Sequence, residues 1–205
     1  RLDDVDGLEW IRVSYLQPAE IRPAMLDAML STPKVVPYFD LSFQHASRDV
    51  LRRMRRFGDP DSFLGLITQI RSVAPQAGIR SNVIAGFPGE TEADVEVLRQ
   101  FIIDSFLDVM GVFGYSDEEG TEGAGLPDHL PADEIEARRA MLAEVALEVN
   151  EARAAERVGE TSKVLVEEID EVPVARAAHQ GPETDGTVLL SEQADVTVGD
   201  LLEVT

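Results

Sequence analysis

Four short runs rich in branched and aromatic residues alternate with helix-like stretches through the first 115 residues, and this alternation constrains the fold class. Residues 8–15, 35–43, 78–86 and 107–115 read as strands. Between them, residues 23–31, 47–54, 62–74 and 91–105 place apolar side chains at helical spacing. Ser47 is a candidate N-cap, Gly58-Asp59-Pro60 reads as a turn, and Thr91 with Asp94 forms a loose capping box. Strand, helix and strand at this spacing predict βα units and a parallel sheet. The strands read as apolar on both faces, so helices are expected to cover the sheet. Periodicity alone leaves an open sheet and a barrel as alternatives.

The pattern then changes twice. Residues 116–131 are rich in acids, glycine and proline, which predicts a turn-rich connection. Residues 132–158 read as one long helix with Ile135, Leu142, Val145, Val149 and Ala152 along its packed stripe, ended by Gly159. Beyond it, residues 163–166, 173–178, 187–190 and 201–204 read as short strands separated by turns, the mark of a small antiparallel barrel. With about four strands it is expected to be incomplete. The fold class expected is α/β: a β/α region (1–131), a connecting helix (132–158) and a small β-domain (159–205).

The absence of cysteine removes disulfides, zinc–thiolate sites and thiolate-held iron–sulfur clusters from this stretch. The three histidines form no HExxH pair. No apolar run reaches membrane-spanning length, and residues 1–6 do not resemble a secretory signal. The net charge of −21 is uneven: −4 in residues 1–115 and −17 in residues 116–205. Such a second half repels nucleic acid and attracts a basic protein, although an acidic surface also serves solubility.

Gln44, His45 and Ser47 follow the second strand, where parallel β/α folds gather ligand-binding groups, but a strand end and helix cap would use the same residues. Arg80 opens a strand that ends in Gly86-Phe87-Pro88-Gly89 before a helix. The glycines would let backbone approach a ligand, and Arg80 would pair with a carboxylate; a plain βα turn and a surface ion pair are the alternatives. Asp117-Glu118-Glu119 reads as a solvated turn rather than a metal site. The arginines at 48, 52, 53, 55 and 56 either touch an anion or balance local acids.

In order and spacing, FQHAS (43–47), LRRMRR (51–56), RSNVIAGFPGET (80–91) and YSDEEGT (115–121) resemble the methylthiotransferase family of radical S-adenosylmethionine enzymes. Gln-His-Ala-Ser at 44–47 resembles the RimO branch, which acts on ribosomal protein twelve of the small subunit; the tRNA-modifying, MiaB-like branch usually carries Gln-Ser-Gly-Ser there. The resemblance makes residues 1–131 the C-terminal part of a radical S-adenosylmethionine (β/α) barrel, and residues from about 157 resemble a TRAM domain. Ser42 and Asp117 depart from the usual family residues.

The resemblance implies a cofactor face made of Gln44, His45, Ser47, Arg80, Gly86, Phe87 and Gly89, with Asp40 and Tyr115 as weaker candidates. It implies S-adenosylmethionine and two 4Fe-4S clusters in the intact enzyme, whose cysteine ligands this chain lacks, so the chain alone is expected to be inert. The implied reaction is radical methylthiolation of an aspartate of ribosomal protein twelve, a basic cytoplasmic partner docking on the TRAM-like part. A tRNA substrate, or a short form that only binds the ribosome, are the alternatives.

Overall fold

The computed structural model of the chain describes residues 2–182, 184–192 and 195–205. Arg1, Glu183, Gln193 and Ala194, which fall in the expected first and third regions, lie outside the described residues.

Three strands form a parallel sheet in the order β1 (Tyr38–Gln44), β2 (Gly78–Ala85) and β3 (Val109–Gly114). Helix α1 (Pro23–Ser31) precedes β1. The chain returns from β1 to β2 through α2 (Arg48–Arg53) and α3 (Pro60–Val73), and from β2 to β3 through α4 (Glu92–Ser105). The long α5 (Ala132–Glu156) lies against β2 and β3. Both α3 and α4 start at reciprocal capping boxes, Asp59 with Ser62 and Thr91 with Asp94. Asp59 and Pro60 therefore do more than turn the chain: they are the N-cap and first residue of α3.

The expected strand at 8–15 is irregular. Two isolated bridges flank it, Ile11 to Val35, ahead of β1, and Leu16 to Leu41 within β1. Tyr15 has φ of 60°, and its N–H donates to the Asp40 carboxylate at 3.1 Å rather than to a neighbouring strand. A left-handed residue cannot continue a pleat.

Helices cover one face of the sheet. Along β2, Ile79, Ser81, Val83 and Ala85 are buried beneath helices, while Arg80, Asn82 and Ile84 are half-buried on the other face. Phe39, Leu41 and Phe43 of β1 join them in a core with Ile70, Leu98, Phe101 and Leu142. The opposite face carries polar residues, as the inner wall of a barrel does, and not the two-sided apolar surface expected from the sequence. The α5 stripe is also less apolar than expected, because Arg138 and Arg153 are buried on it.

The second sheet is antiparallel, in the order β6 (Val188–Leu189), β5 (Pro173–Ala177), β4 (Ser162–Ile169) and β7 (Leu201–Val204). It has its own small core of Val164, Val166, Ala175 and Ala177. Thr184 and Asp185, between β5 and β6, meet the N-terminal end of the parallel sheet. Tyr38 donates to Asp185 at 2.8 Å, and Arg80 pairs with the same carboxylate at 3.5 Å.

Candidate functional site

The C-terminal ends of β1, β2 and β3 open into two adjoining cavities of about 320 and 360 Å³. Gln44, Ile84, Phe87, Tyr115 and Ser116 line both. Their size falls in the range of about 300–1,000 Å³ typical of small-molecule sites, and they sit at the ligand end of a parallel sheet. Phe87 meets Tyr115 edge to face, with ring centroids 5.1 Å apart. These rings give the cavities an apolar wall, and Gln44 adds an amide able to donate and accept.

The loop carrying Phe87 is held by its backbone. Gly86 and Gly89 have φ of 79° and 76°. A β-carbon on Gly86 would strike Ile135 of α5, and one on Gly89 would strike Arg53. Gly89 N–H donates to the Asp128 carbonyl at 2.8 Å, and Arg53 donates to the Gly89 carbonyl. Beneath the loop lies Glu90, a fully buried carboxylate that the sequence reading passed over. It accepts from Gly86 N–H at 3.0 Å and from Arg138 at 2.9 Å. Only the short spacing from Gly86 to Glu90 hinted that a carboxylate could reach back to the loop.

His45 stands 3.1 Å from Glu90 through Nε2, while its Nδ1 accepts from Ser47 N–H at 2.9 Å. An accepting Nδ1 leaves the proton on Nε2, so His45 donates to Glu90. Ser47 does not cap its own helix; its hydroxyl donates to Asp94 at the start of α4. His45 and Ser47 thus brace the cavity floor from behind. Among the residues expected at a cofactor face, Gln44 and Phe87 line the cavities and Gly86 and Gly89 shape the loop. Arg80 is elsewhere, near the N-terminal end of β2, bonded to Thr184 and Asp185. Asp40 accepts from Tyr15 N–H.

The acidic connection closes one side of the cavity of about 320 Å³. Tyr115 donates to Asp117 at 2.8 Å; partial burial, with help from that carboxylate, pushes its hydroxyl pKa up to about 12, so it stays protonated. Asp117 also pairs with His129 at 3.3 Å, and Glu122 reaches across to Arg55 at 2.8 Å.

An adenine-like ring suits the Phe87–Tyr115 wall, and a polar group of such a ligand suits the Gln44 amide. An iron–sulfur cluster does not fit the residues present. The chain offers no thiolate, and no cluster of potential metal ligands occurs among the described residues. No helix among the described residues is long and apolar enough to cross a membrane.

Comparison with known proteins adds three findings. The TRAM domain family matches residues 158–205. The ribosomal protein uS12 methylthiotransferase RimO of Cutibacterium acnes is 62% identical over 203 residues, covering 99% of this chain and 42% of that protein. The protein of the same name from Streptomyces griseus is 58% identical over 207 residues, covering 98% and 42%. The chain thus spans about two fifths of the length of the curated relatives it matches. Among solved structures, Escherichia coli coproporphyrinogen III oxidase (HemN), described as a radical SAM enzyme, superposes with a TM-score of 0.56. It covers 82% of this chain and 44% of its own at 14% identity, a likeness of fold.

Proposed function

The chain belongs to the RimO-type radical S-adenosylmethionine methylthiotransferases, of which it spans about two fifths, and on that premise we propose that the intact protein methylthiolates an aspartate of ribosomal protein uS12. The observation that carries this reading is 62% identity, over almost the whole chain, to a protein named for that activity. The cavity at the strand ends supports it, because it is where a β/α fold of this kind presents its reacting groups.

S-adenosylmethionine supplies, when bound and reduced, a radical able to take hydrogen from an unactivated carbon. The contribution of this chain is placement. Phe87 and Tyr115 provide an apolar wall that excludes water. Gln44 offers a directional amide, and the left-handed glycines of the Gly86–Gly89 loop set Phe87 at that wall. Glu90, His45 and Arg138 keep that loop in one conformation. Iron–sulfur clusters, two in our reading, are held by parts of the intact protein that carry cysteine. The residues described here are therefore inert on their own.

The second half of the chain, with its charge of −17, suits a basic partner, and we assign the docking of uS12 to the TRAM domain. Work on a ribosomal protein places the enzyme in the cytoplasm. Mass spectrometry of ribosomes and tRNA from cells with and without the intact gene tests the reading. Loss of a methylthio group from uS12, with tRNA unchanged, supports it. Loss from tRNA alone moves the protein to the tRNA-modifying branch.

A further inference from the structure

The first turn after β1 ends unusually. Helix α2 closes with a Schellman arrangement: Arg55 N–H donates to the Arg52 carbonyl at 3.0 Å, and Arg56 N–H to the Leu51 carbonyl at 2.7 Å. The residue at its left-handed corner is Arg55, with φ of 55°. Glycine occupies this corner at low cost, and a residue with a β-carbon does not. Here the sequence spends backbone comfort to place a guanidinium, and the side chain has a destination. Arg55 borders the same cavity as Gln44, Phe87 and Tyr115.

Its partner is informative. Glu122 lines that cavity too, and its carboxylate lies 2.8 Å from Arg55. Both side chains remain mostly in solvent, at 76% and 67% exposure. The pair spans two separate segments, and Glu122 sits on the turn-rich acidic connection. Exposed pairs of this kind are weak and exchangeable. The neighbouring arginines are already committed: Arg53 to the Gly89 carbonyl, Arg48 to Asp59, and Arg56 to Gln17 at 2.6 Å. Arg55 is the cation at the cavity whose present partner is another carboxylate on a separate loop.

We propose that Arg55 is the specificity residue that binds the side-chain carboxylate of the aspartate to be modified, and that Glu122 holds its place until substrate arrives. The inference rests on the methylthiotransferase reading for the identity of the substrate. The chemistry favours a guanidinium, since it grips a carboxylate through two parallel N–H donors and fixes the adjacent carbon in orientation. Exchange of one carboxylate for another keeps the cation paired throughout, so entry of substrate strands no charge. It also predicts selection against asparagine, which is nearly the same shape but neutral.

The test uses the full-length enzyme with S-adenosylmethionine and a labelled peptide of uS12 containing the target aspartate, alongside its asparagine twin. Binding is followed by fluorescence anisotropy. Wild type should prefer the aspartate peptide. Arg55→Gly should weaken aspartate-peptide binding by about tenfold or more, the worth of a charge-assisted hydrogen bond, and erase the preference. Because glycine suits the left-handed corner, this variant should melt at or above the wild-type temperature, which separates lost recognition from lost folding. Arg55→Lys should restore part of the preference. Glu122→Gln should tighten the aspartate peptide by about two- to fivefold, the strength of an exposed ion pair. An equal preference in wild type and Arg55→Gly, or no preference in wild type, overturns the proposal. A separate mass-spectrometric assay for methylthio product on the same peptide tests the reaction itself: preference without product refutes the assigned reaction and leaves the carboxylate site standing.

Discussion

Glu90 gathers the groups that hold the cavity loop, and its removal has a calculable consequence. Arg138 is buried against it, at 2.9 Å through Nη1, and the same nitrogen also donates to the Glu90 carbonyl at 3.0 Å. Truncation by Glu90→Ala leaves Gly86 N–H and His45 Nε2–H without their acceptor and strips Arg138 of its innermost carboxylate. Breaking one partner of a buried charge pair costs about 3–5 kcal/mol; Glu92 and Glu134, both bonded to Arg138, keep the loss near the lower figure. Urea denaturation should show it, with Glu90→Gln milder. His179 behaves differently. Burial, and then the nearby Arg157 charge, push its pKa down to about 4. The folded state therefore disfavours the charged ring, and the unfolded chain binds more protons between about pH 4 and its ordinary value near 6.5. Stability from this residue is complete above about pH 6.5 and is lost as pH falls toward 4, by up to about 3 kcal/mol. Comparing melting temperature against pH for wild type and His179→Asn isolates it; a difference that does not change between pH 7 and 4.5 would refute the assignment. At this scale the sequence was half legible. Gln44 has φ of 68°, which breaks the strand alternation: Gln44 lines the cavity, while His45 turns under the helices toward Glu90. Residue types marked the strand end as special, but a backbone kink decided which side chain meets a ligand.

The elements themselves were more legible, because local chemistry specifies them. Thr91 and Asp94 satisfy each other's backbone donors, as the spacing predicts, and α4 begins at the next residue, Glu92. Thr91→Ala should cost about 1 kcal/mol, read as a fall in melting temperature; an unchanged midpoint would mean that packing against the core fixes α4 by itself. The same Asp94 also receives the Ser47 hydroxyl, which ties the start of α4 to the start of α2. Helix α5 shows where element reading runs out. Its apolar stripe was visible, but Arg138 and Arg153 on the packed face read as solvent residues. Their partners, Glu90 and Asp108, lie more than forty positions away in sequence, and no periodicity reveals a pairing at that separation. The irregular stretch before α1 failed as a strand for a related reason. A distant carboxylate, Asp40, takes the Tyr15 N–H that a neighbouring strand would have used.

For the whole molecule, the α/β class and the antiparallel character of the last region were legible from hydrophobic period and turn spacing, whereas the seam between the two sheets was not. That seam centres on Asp185. Its buried carboxylate accepts from Tyr38 at 2.8 Å and from Gly181 N–H at 2.8 Å, and it faces Arg80 at 3.5 Å. Burial, then the bond to Asp185, pushes the Tyr38 hydroxyl pKa up, so this group remains a donor at any physiological pH. Gly78 contributes by absence of bulk, because a β-carbon there would collide with the His179 backbone. Arg80 thus spends its charge on joining the two sheets, at the opposite end of β2 from the cavity. Asp185→Ala removes the shared acceptor and leaves the buried Tyr38 and the half-buried Arg80 without it, at a cost of about 3 kcal/mol. Since each sheet has its own core, the loss should fall on the seam rather than on either core. Hydrogen exchange should therefore quicken at residues 181–189 and at the start of β2, with β4 and α4 protected as in wild type. Uniform quickening throughout the chain would instead show that the TRAM domain and the parallel sheet fold as one cooperative unit. In that case Asp185 would stabilise the whole molecule.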